Sequence, residues 1–438
     1  MSPVWSDCRK FLKTTAGALA ASLAPHWFFG SPRARAETYR AKNDRPIIGA
    51  IGVGGRGTHI AGQARAFGDL VAVCDVDRRH GEAAKARFGG TADIYDDYRR
   101  LLDRSDIEAV TIGVPDHWHT TAAITALKAG KDVYCEKPLT LTIREGQQII
   151  KVLGQAGRVF QVGTQQRSDW KFRLACEMVR NGRIGKVRKV IVTLPESTLE
   201  GGPFATKQVP EGLDWDFWLG QAPKVDYTPE RCHSTFRWWY EYSGGVMTDW
   251  GAHHMDICHW GLGVEHSGPR TIDGKAKLPH IKNGYNTPKF FTVDMQYPDD
   301  VHVLVNIGDD GILFEGDRGR IYVNRGRIAG KPLEELAAEL GKASIDELRD
   351  VELPGAKIKL ARSDNHMGNF FDCIKSRQQP VSDVTTHHRT VSACHLANIS
   401  MRLGRKLKWD AGKEDFIGDQ EARQMISRPQ RESYTVPA

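Results

Sequence analysis

From residue 46 to about 162, short apolar runs alternate with segments of helical periodicity, the pattern of a doubly wound parallel sheet. The runs at 46–53, 70–74, 94–95, 109–114 and 131–135 predict strands, and 58–67, 81–88, 97–102, 116–128 and 143–155 predict helices. The second half changes character. Residues 187–194, 290–297, 301–307, 312–315 and 320–323 alternate with period two between turn residues such as Pro298-Asp299-Asp300 and Gly308-Asp309-Asp310. They predict one large, mostly antiparallel sheet, with helices at 172–181, 253–260 and 333–340 and closing helices at 365–376 and 386–402. The fold class is therefore α/β, with two domains expected at 44–162 and 163–438.

Residues 1–36 stand apart from that pattern. Arg9, Lys10 and Lys13 precede an apolar stretch at 14–29, and Ala34-Arg35-Ala36 offers a cleavage site, so this segment reads as an export signal. The string Asp7-Cys8-Arg9-Lys10-Phe11-Leu12-Lys13 resembles a twin-arginine signal with Cys8 where the first arginine belongs. The expected location is the periplasm. Five basic residues and one acidic residue leave with this segment, so the formal charge falls from +7 to +3. So small a charge is no nucleic-acid footprint. No stretch of the remaining chain has the roughly 18 apolar residues of a membrane span. Eight cysteines show neither C-x-x-C pairs nor a disulfide rhythm, and Cys74 and Cys135 read as small buried hydrophobes.

Against this background a few residues carry chemistry. The first strand feeds into Gly52-Val53-Gly54-Gly55-Arg56-Gly57, a G-x-G-x-x-G string opening a helix. Gly52 permits the turn, Gly54 lets backbone N–H groups reach a pyrophosphate, and Gly57 allows the helix to pack on the strand. Asp75 ends the second strand, where a carboxylate accepts ribose hydroxyls and repels a 2′-phosphate, favouring NAD over NADP. Arg78 and Arg79 are the residues that could still serve a 2′-phosphate. Ligands of such sheets bind beyond the carboxyl ends of the strands, so Gly55, Arg56, Pro115, His119, Glu136 and Lys137 are expected to line the same cleft. Lys137 there can hold a substrate hydroxyl and stabilise charge on its oxygen.

Asp249 and His253 are four apart, so on one helix their side chains meet, and an imidazole oriented by a carboxylate is a workable general base. A metal reading of this stretch would use His254, Cys258 and His259, but no second ligand cluster has the right spacing, and no metal is expected. Trp215, Trp218, Trp238, Trp239, Trp250 and Trp260 crowd the middle of the chain, and aromatic faces stack on sugar C–H faces. Lys137, Trp239, Trp250 and His254 are thus the expected substrate contacts, and the expected substrate is a carbohydrate.

Taken in order, the chain resembles the Gfo/Idh/MocA family of oxidoreductases. The resemblance rests on the glycine string at Gly52, the V-P-D-H-W-H string from Val114 to His119, the E-K-P tripeptide at Lys137 and G-G-x-x-x-D-x-G-x-H from Gly244 to His253. Asn369 to Cys373 and Arg402 to Gly404 are similar to the family's closing helices. The resemblance implies a Rossmann domain followed by an open-faced α/β domain that mediates homo-oligomerisation, as a dimer or tetramer. It implies Lys137 as substrate-holding lysine, His253 as acid/base and Asp249 as its orienting carboxylate. Expected, then, is an exported oxidoreductase with tightly held NAD, moving hydride between nicotinamide and a hydroxyl-bearing carbon of a sugar, cyclitol or sugar derivative. Two alternatives stay open: a glycosidase or lyase acting through a transient keto-sugar, and a non-catalytic nucleotide-binding sensor.

Overall fold

The first apolar runs form a parallel sheet in the computed structural model, which describes residues 45–438. The expected export signal lies outside the described residues. Strands β1 (Ile47–Ile51), β2 (Asp69–Cys74), β3 (Asp93–Tyr95), β4 (Ala109–Ile112), β5 (Asp132–Cys135) and β6 (Phe160–Val162) lie in the order β3-β2-β1-β4-β5-β6, all parallel. β4 and β5 are buried throughout, which is why they read as unbroken apolar runs. Between the strands run α1 (Gly55–Ala64), α2 (Arg78–Arg87), α3 (Tyr98–Leu102), α4 (Asp116–Lys128) and α5 (Ile143–Ala156). The strand order reverses between β1 and β4, and a crevice opens there at the carboxyl ends.

The turn after β5 is held from several sides. Thr142 caps α5 by accepting from the Glu145 N–H at 3.3 Å, and Gly157, at φ 59°, ends the helix in the left-handed conformation. The buried Glu145 carboxylate accepts from the Leu141 N–H at 2.9 Å, Thr120 Oγ1 at 2.8 Å and Gln221 Nε2 at 3.1 Å. One carboxylate thus ties α4, the turn and the second half of the chain together.

The second sheet has nine strands: β7 (Val187–Leu194), β8 (Thr271–Ala276), β9 (Phe291–Gln296), β10 (His302–Ile307), β11 (Gly311–Gly316), β12 (Arg320–Val323), β13 (Ile328–Ala329), β14 (Leu407–Asp410) and β15 (Asp415–Phe416). Their order is β13-β12-β11-β7-β10-β9-β8-β14-β15, antiparallel except for β7 beside β10. Val190, Val192, Val293, Val303, Val305 and Phe314 line its buried face. Against that side lie α6 (Trp170–Arg180), α9 (Gly251–Leu262) and the largely buried α12 (Val384–Leu403). The remaining helices are α7 (Trp215–Leu219), α8 (Val246–Asp249), α10 (Lys331–Glu339), α11 (His366–Ser376) and α13 (Gln420–Gln424). The closing helix α11 returns to the first sheet, where Met367, Phe370 and Phe371 join the core with Ile48, Ile60 and Tyr134.

Strands β6, β8, β13, β14 and β15 are not expected from the alternation. β6 and β13 are only three and two residues long, and β8 carries Gly274 and two charges, so its pairing comes from β9 and β14 rather than from its own pattern. Helix α1 begins at Gly55, three residues before its expected start, because Gly52 at φ +74° turns the chain at once into the helix. At Gly57 a Cβ would lie 1.7 Å from the Gly52 carbonyl oxygen. Gly57→Ala should therefore push α1 off β1, lowering unfolding free energy by about 1–3 kcal/mol or more and weakening nucleotide affinity; thermal melts and a nucleotide titration of the variant check both.

Candidate active site

The crevice at the switch point is a cleft of about 590 Å³ lined from both halves of the chain. Its first wall is the glycine turn. A Cβ added at Gly55 would meet nothing within 4 Å, whereas one at Gly57 would strike backbone, so the turn is open where a pyrophosphate would approach and closed where helix meets strand. The Asp75 carboxylate accepts from the Val53 N–H and the Asp77 N–H, both at 2.9 Å, which aims it across the cleft. His80 Nδ1 lies 3.4 Å from Asp75, and that bond raises the imidazole pKa despite partial burial. Arg78 is paired with Glu82 at 2.9 Å and Arg79 with Asp77 at 2.7 Å, so both arginines considered for a 2′-phosphate are committed elsewhere. The donor set fits NAD.

Segments from the second half roof this adenosine end. Arg78 N–H donates to the Gly212 carbonyl at 2.9 Å and Asp214 N–H to the Val76 carbonyl at 3.0 Å, while His233 Nε2 stands 3.2 Å from Asp77. Asp77, His80 and His233 form the one grouping of metal-type ligands among the described residues, and Asp77 is already held by Arg79. The residues weighed as metal ligands further on have separate surroundings. His254 lies 3.8 Å from Asp310, Cys258 is in the core, and His259 Nε2 meets the Tyr297 hydroxyl at 2.7 Å.

At the other end Lys137 and His253 line the same cleft. Lys137 Nζ donates to the Asp249 carbonyl oxygen at 3.1 Å and to its Oδ1. The expected Asp249–His253 bond is absent. Trp250, between α8 and α9, keeps helical dihedrals (φ −78°, ψ −35°), but the His253 N–H bonds to the Trp250 carbonyl at 3.0 Å rather than to Asp249. The Asp249 carbonyl and carboxylate are instead turned to Lys137, with Arg237 beside the carboxylate, and so do not reach the His253 ring. Burial opposes ionisation of Asp249, yet Lys137 and Arg237, the latter 3.6 Å away, hold its pKa below the usual value. His253 is pushed well below the ordinary histidine value by burial, then by Lys137 and Arg325, so it is neutral at pH 7. Its Nδ1 is buried without a hydrogen-bond partner among the described residues.

Glu136 accepts from Arg56 Nε at 2.8 Å, and both line the cleft, as does Pro115. His119 also lines it, but its Nδ1 meets the Pro138 carbonyl at 2.6 Å and its Nε2 the Val114 carbonyl at 3.0 Å. A neutral imidazole donates only one of these, and burial keeps this one neutral; His119 braces the E-K-P turn. Two expected substrate contacts fall elsewhere. Trp239 is 1% exposed, donates to the Glu230 carbonyl at 2.8 Å and lies under Arg231. His254 is fully buried, 3.8 Å from Asp310, and is not among the residues that line the cleft. Of the tryptophan crowd, Trp218 and Trp250 reach the cleft, while Trp215, Trp238, Trp239 and Trp260 pack the core.

Several lining residues were not singled out by the sequence. Asp116, whose string was noted, accepts from the Ser243 hydroxyl, and burial raises its carboxyl to about 7. Arg237 arrives on the 3-10 turn His233–Trp238, and Arg325 on the hairpin between β12 and β13. The Arg237-Trp238-Trp239 string was a visible signal for the first; nothing local announces the second.

A glycine cradle for a dinucleotide at a parallel-sheet switch point, facing a lysine and a neutral imidazole, defines an NAD-dependent oxidoreductase. Residues 46–164 match the oxidoreductase family's NAD-binding Rossmann fold, and residues 201–436 match its C-terminal alpha/beta domain. The chain belongs to the Gfo/Idh/MocA oxidoreductase family. It is 32% identical over 280 residues to inositol 2-dehydrogenase of Salmonella typhimurium, covering 60% of this chain and 72% of that one. It is 31% identical over 220 residues to myo-inositol 2-dehydrogenase of Thermotoga maritima, covering 50% and 55%. Its fold is similar to that of levoglucosan dehydrogenase in complex with NADH and levoglucosan, with a TM-score of 0.60 at 16% identity over 83% of this chain and 99% of that one.

Asp116 gives a pH test. Its folded pKa of about 7 lies above an unfolded value near 4, so the folded state binds the extra proton and loses stability as pH rises between them. Against Asp116→Asn, the wild type should lose ground from about pH 4 to about pH 7, by at most about 1.4 kcal/mol per pH unit. Urea unfolding of both proteins across that range measures the difference.

Proposed function

We propose that this protein oxidises, or in reverse forms, a hydroxyl-bearing carbon of a sugar, cyclitol or sugar derivative, with NAD held through many turnovers. The observation that carries the proposal is the convergence of Lys137 and His253 on the cleft that the glycine turn opens. When bound, the nicotinamide supplies the hydride acceptor. Lys137 has three N–H donors, of which two are taken by Asp249, leaving one for the substrate oxygen. Asp249 fixes the direction of that third donor. His253, neutral through burial, receives the hydroxyl proton on its imidazole. Closing the cleft excludes water, which strengthens the ammonium's hold on the developing alkoxide.

The relatives named for inositol, and the neighbour bound to levoglucosan, support a cyclic polyol as substrate. Tight cofactor binding is supported by the roof over the adenosine end, because the Asp77–Leu213 bridge and the His233–Asp77 contact must open before a nucleotide leaves. That property suits the periplasmic setting proposed from the first 36 residues, where free NAD is scarce. The open face of the second sheet, with Ile191, Leu304 and Leu313 only half-buried, suits a second copy of the chain.

Lys137→Met should lower polyol-dependent NADH formation by about 10²–10⁴-fold while nucleotide affinity stays within a few fold; absorbance at about 340 nm, the usual readout of nicotinamide reduction, and calorimetric titration separate the two. Unchanged turnover would sink the proposed chemistry. Purified protein should also retain nucleotide through extensive dialysis, and mass spectrometry of the denatured sample would reveal NAD; an empty spectrum would argue for a freely exchanging cofactor.

A further inference from the structure

At the reacting end of the cleft one cation stands without an ion pair. Arg56, Lys137, Arg237 and Arg325 line it with Glu136 and Asp116, and Asp249 stands behind Lys137. Glu136 is taken by Arg56 at 2.8 Å. Asp249 is shared between Lys137 and the more distant Arg237. Asp116 is buried against Ser243. Arg325 has no carboxylate within 4 Å among the described residues; its one hydrogen bond is to Gln166 Oε1, at 3.4 Å, and Asp310, Asp249 and Asp169 act on it only at longer range.

Arg325 is nonetheless held in place. Its guanidinium carbon lies 4.3 Å from the Trp250 ring centroid, and Trp250 is the indole whose ring sits edge-on to His253. Stacking of this kind fixes the plane of the guanidinium and leaves its donors at the solvent-accessible rim of the cleft. A sugar hydroxyl does not need a full charge to be recognised, whereas a planar fork of donors matches an anionic group.

We propose that the substrate carries an anionic substituent, a carboxylate or a phosphate ester, and that Arg325 binds it, with Arg237 contributing from the opposite wall. This rests on the reading of the cleft as a polyol site. The substituent would lie on the side of the sugar facing Trp250, with the reacting hydroxyl toward Lys137. Arg325 then selects among polyols without touching the reacting atoms.

Calorimetric titration of the NADH-loaded protein with glucose, glucuronate and glucose 6-phosphate tests this without turnover. At least one anionic sugar should bind roughly ten- to hundredfold more tightly than glucose, and which one binds identifies the substituent. Arg325→Gln should abolish that preference and Arg325→Lys should restore part of it, the preference being read within each variant as the ratio of anionic-sugar to glucose affinity. Anionic sugars binding no better than glucose, or a preference that survives in Arg325→Gln, would overturn the assignment. Parallel assays keep the two readings apart: an anionic preference without NADH formation from any sugar would defeat the oxidoreductase proposal alone, and turnover of neutral sugars without that preference would defeat this one alone.

Discussion

The contact between Lys137 and Asp249 is the constraint on which the site depends. Lys137 stands at the carboxyl end of the first sheet and Asp249 at the end of α8 in the second half of the chain, and their side chains are only 13% and 16% exposed. A partly buried pair of this kind contributes little net stability, because desolvating both charges offsets most of their attraction. Its effect is geometric. By accepting with both its carbonyl and its carboxylate, Asp249 makes the position of the ammonium a function of how the two sheets pack. Anything that shifts α8 moves the ammonium within the cleft.

Other buried polar contacts keep α8 and α9 where that pairing requires. Arg167 forms two bonds to Asp256 of α9, at 2.7 and 2.8 Å, and lies 5.1 Å over Trp260. Glu145 links α4 and the E-K-P turn to Gln221, and Asn398 Nδ2 of α12 donates to the Gly244 carbonyl at 2.9 Å just ahead of α8. Each charge or amide is satisfied across an element boundary, so the junction between the two sheets is specified by polar registration as well as by apolar burial. The cost of leaving any one partner alone in the interior is what makes the arrangement discriminating.

Much of this was legible in the chain because it is locally encoded. The parallel sheet announces itself through unbroken apolar runs, β9 through strict alternation, and the glycine turn through three positions whose reasons differ. What failed depended on longer reach. The expected Asp249–His253 partnership rested on helical spacing alone, but Lys137 and Arg237, distant in sequence, take the Asp249 carboxylate. Trp239 and His254 were grouped with the substrate because aromatic and imidazole side chains serve equally well as platforms and as packing, and composition alone does not divide the two. Arg325 sits on a hairpin more than 180 residues from Lys137, and only the tertiary packing of the second half of the chain brings it to Trp250. Strand β8, with Gly274 pressed against α12, was silent for a related reason: a Cβ there would lie 2.7 Å from Met401, so packing demands the residue that weakens the strand signal.

The electrostatics of the cleft divide along its length, and the division follows from which element supplies each wall. Acids Asp75 and Asp96 come from the ends of the first sheet's outer strands, where ribose hydroxyls need acceptors. Cations Lys137, Arg237 and Arg325 come from the strand edge and the second half of the chain. Burial first, and then Lys137 and Arg325, keep His253 neutral. A charged imidazole could not accept a proton, and an unshielded one would be solvated and titrate near pH 6.5. The positive field that would hold an alkoxide therefore also adds to what burial does to His253, so a change at Lys137 would be felt at both groups.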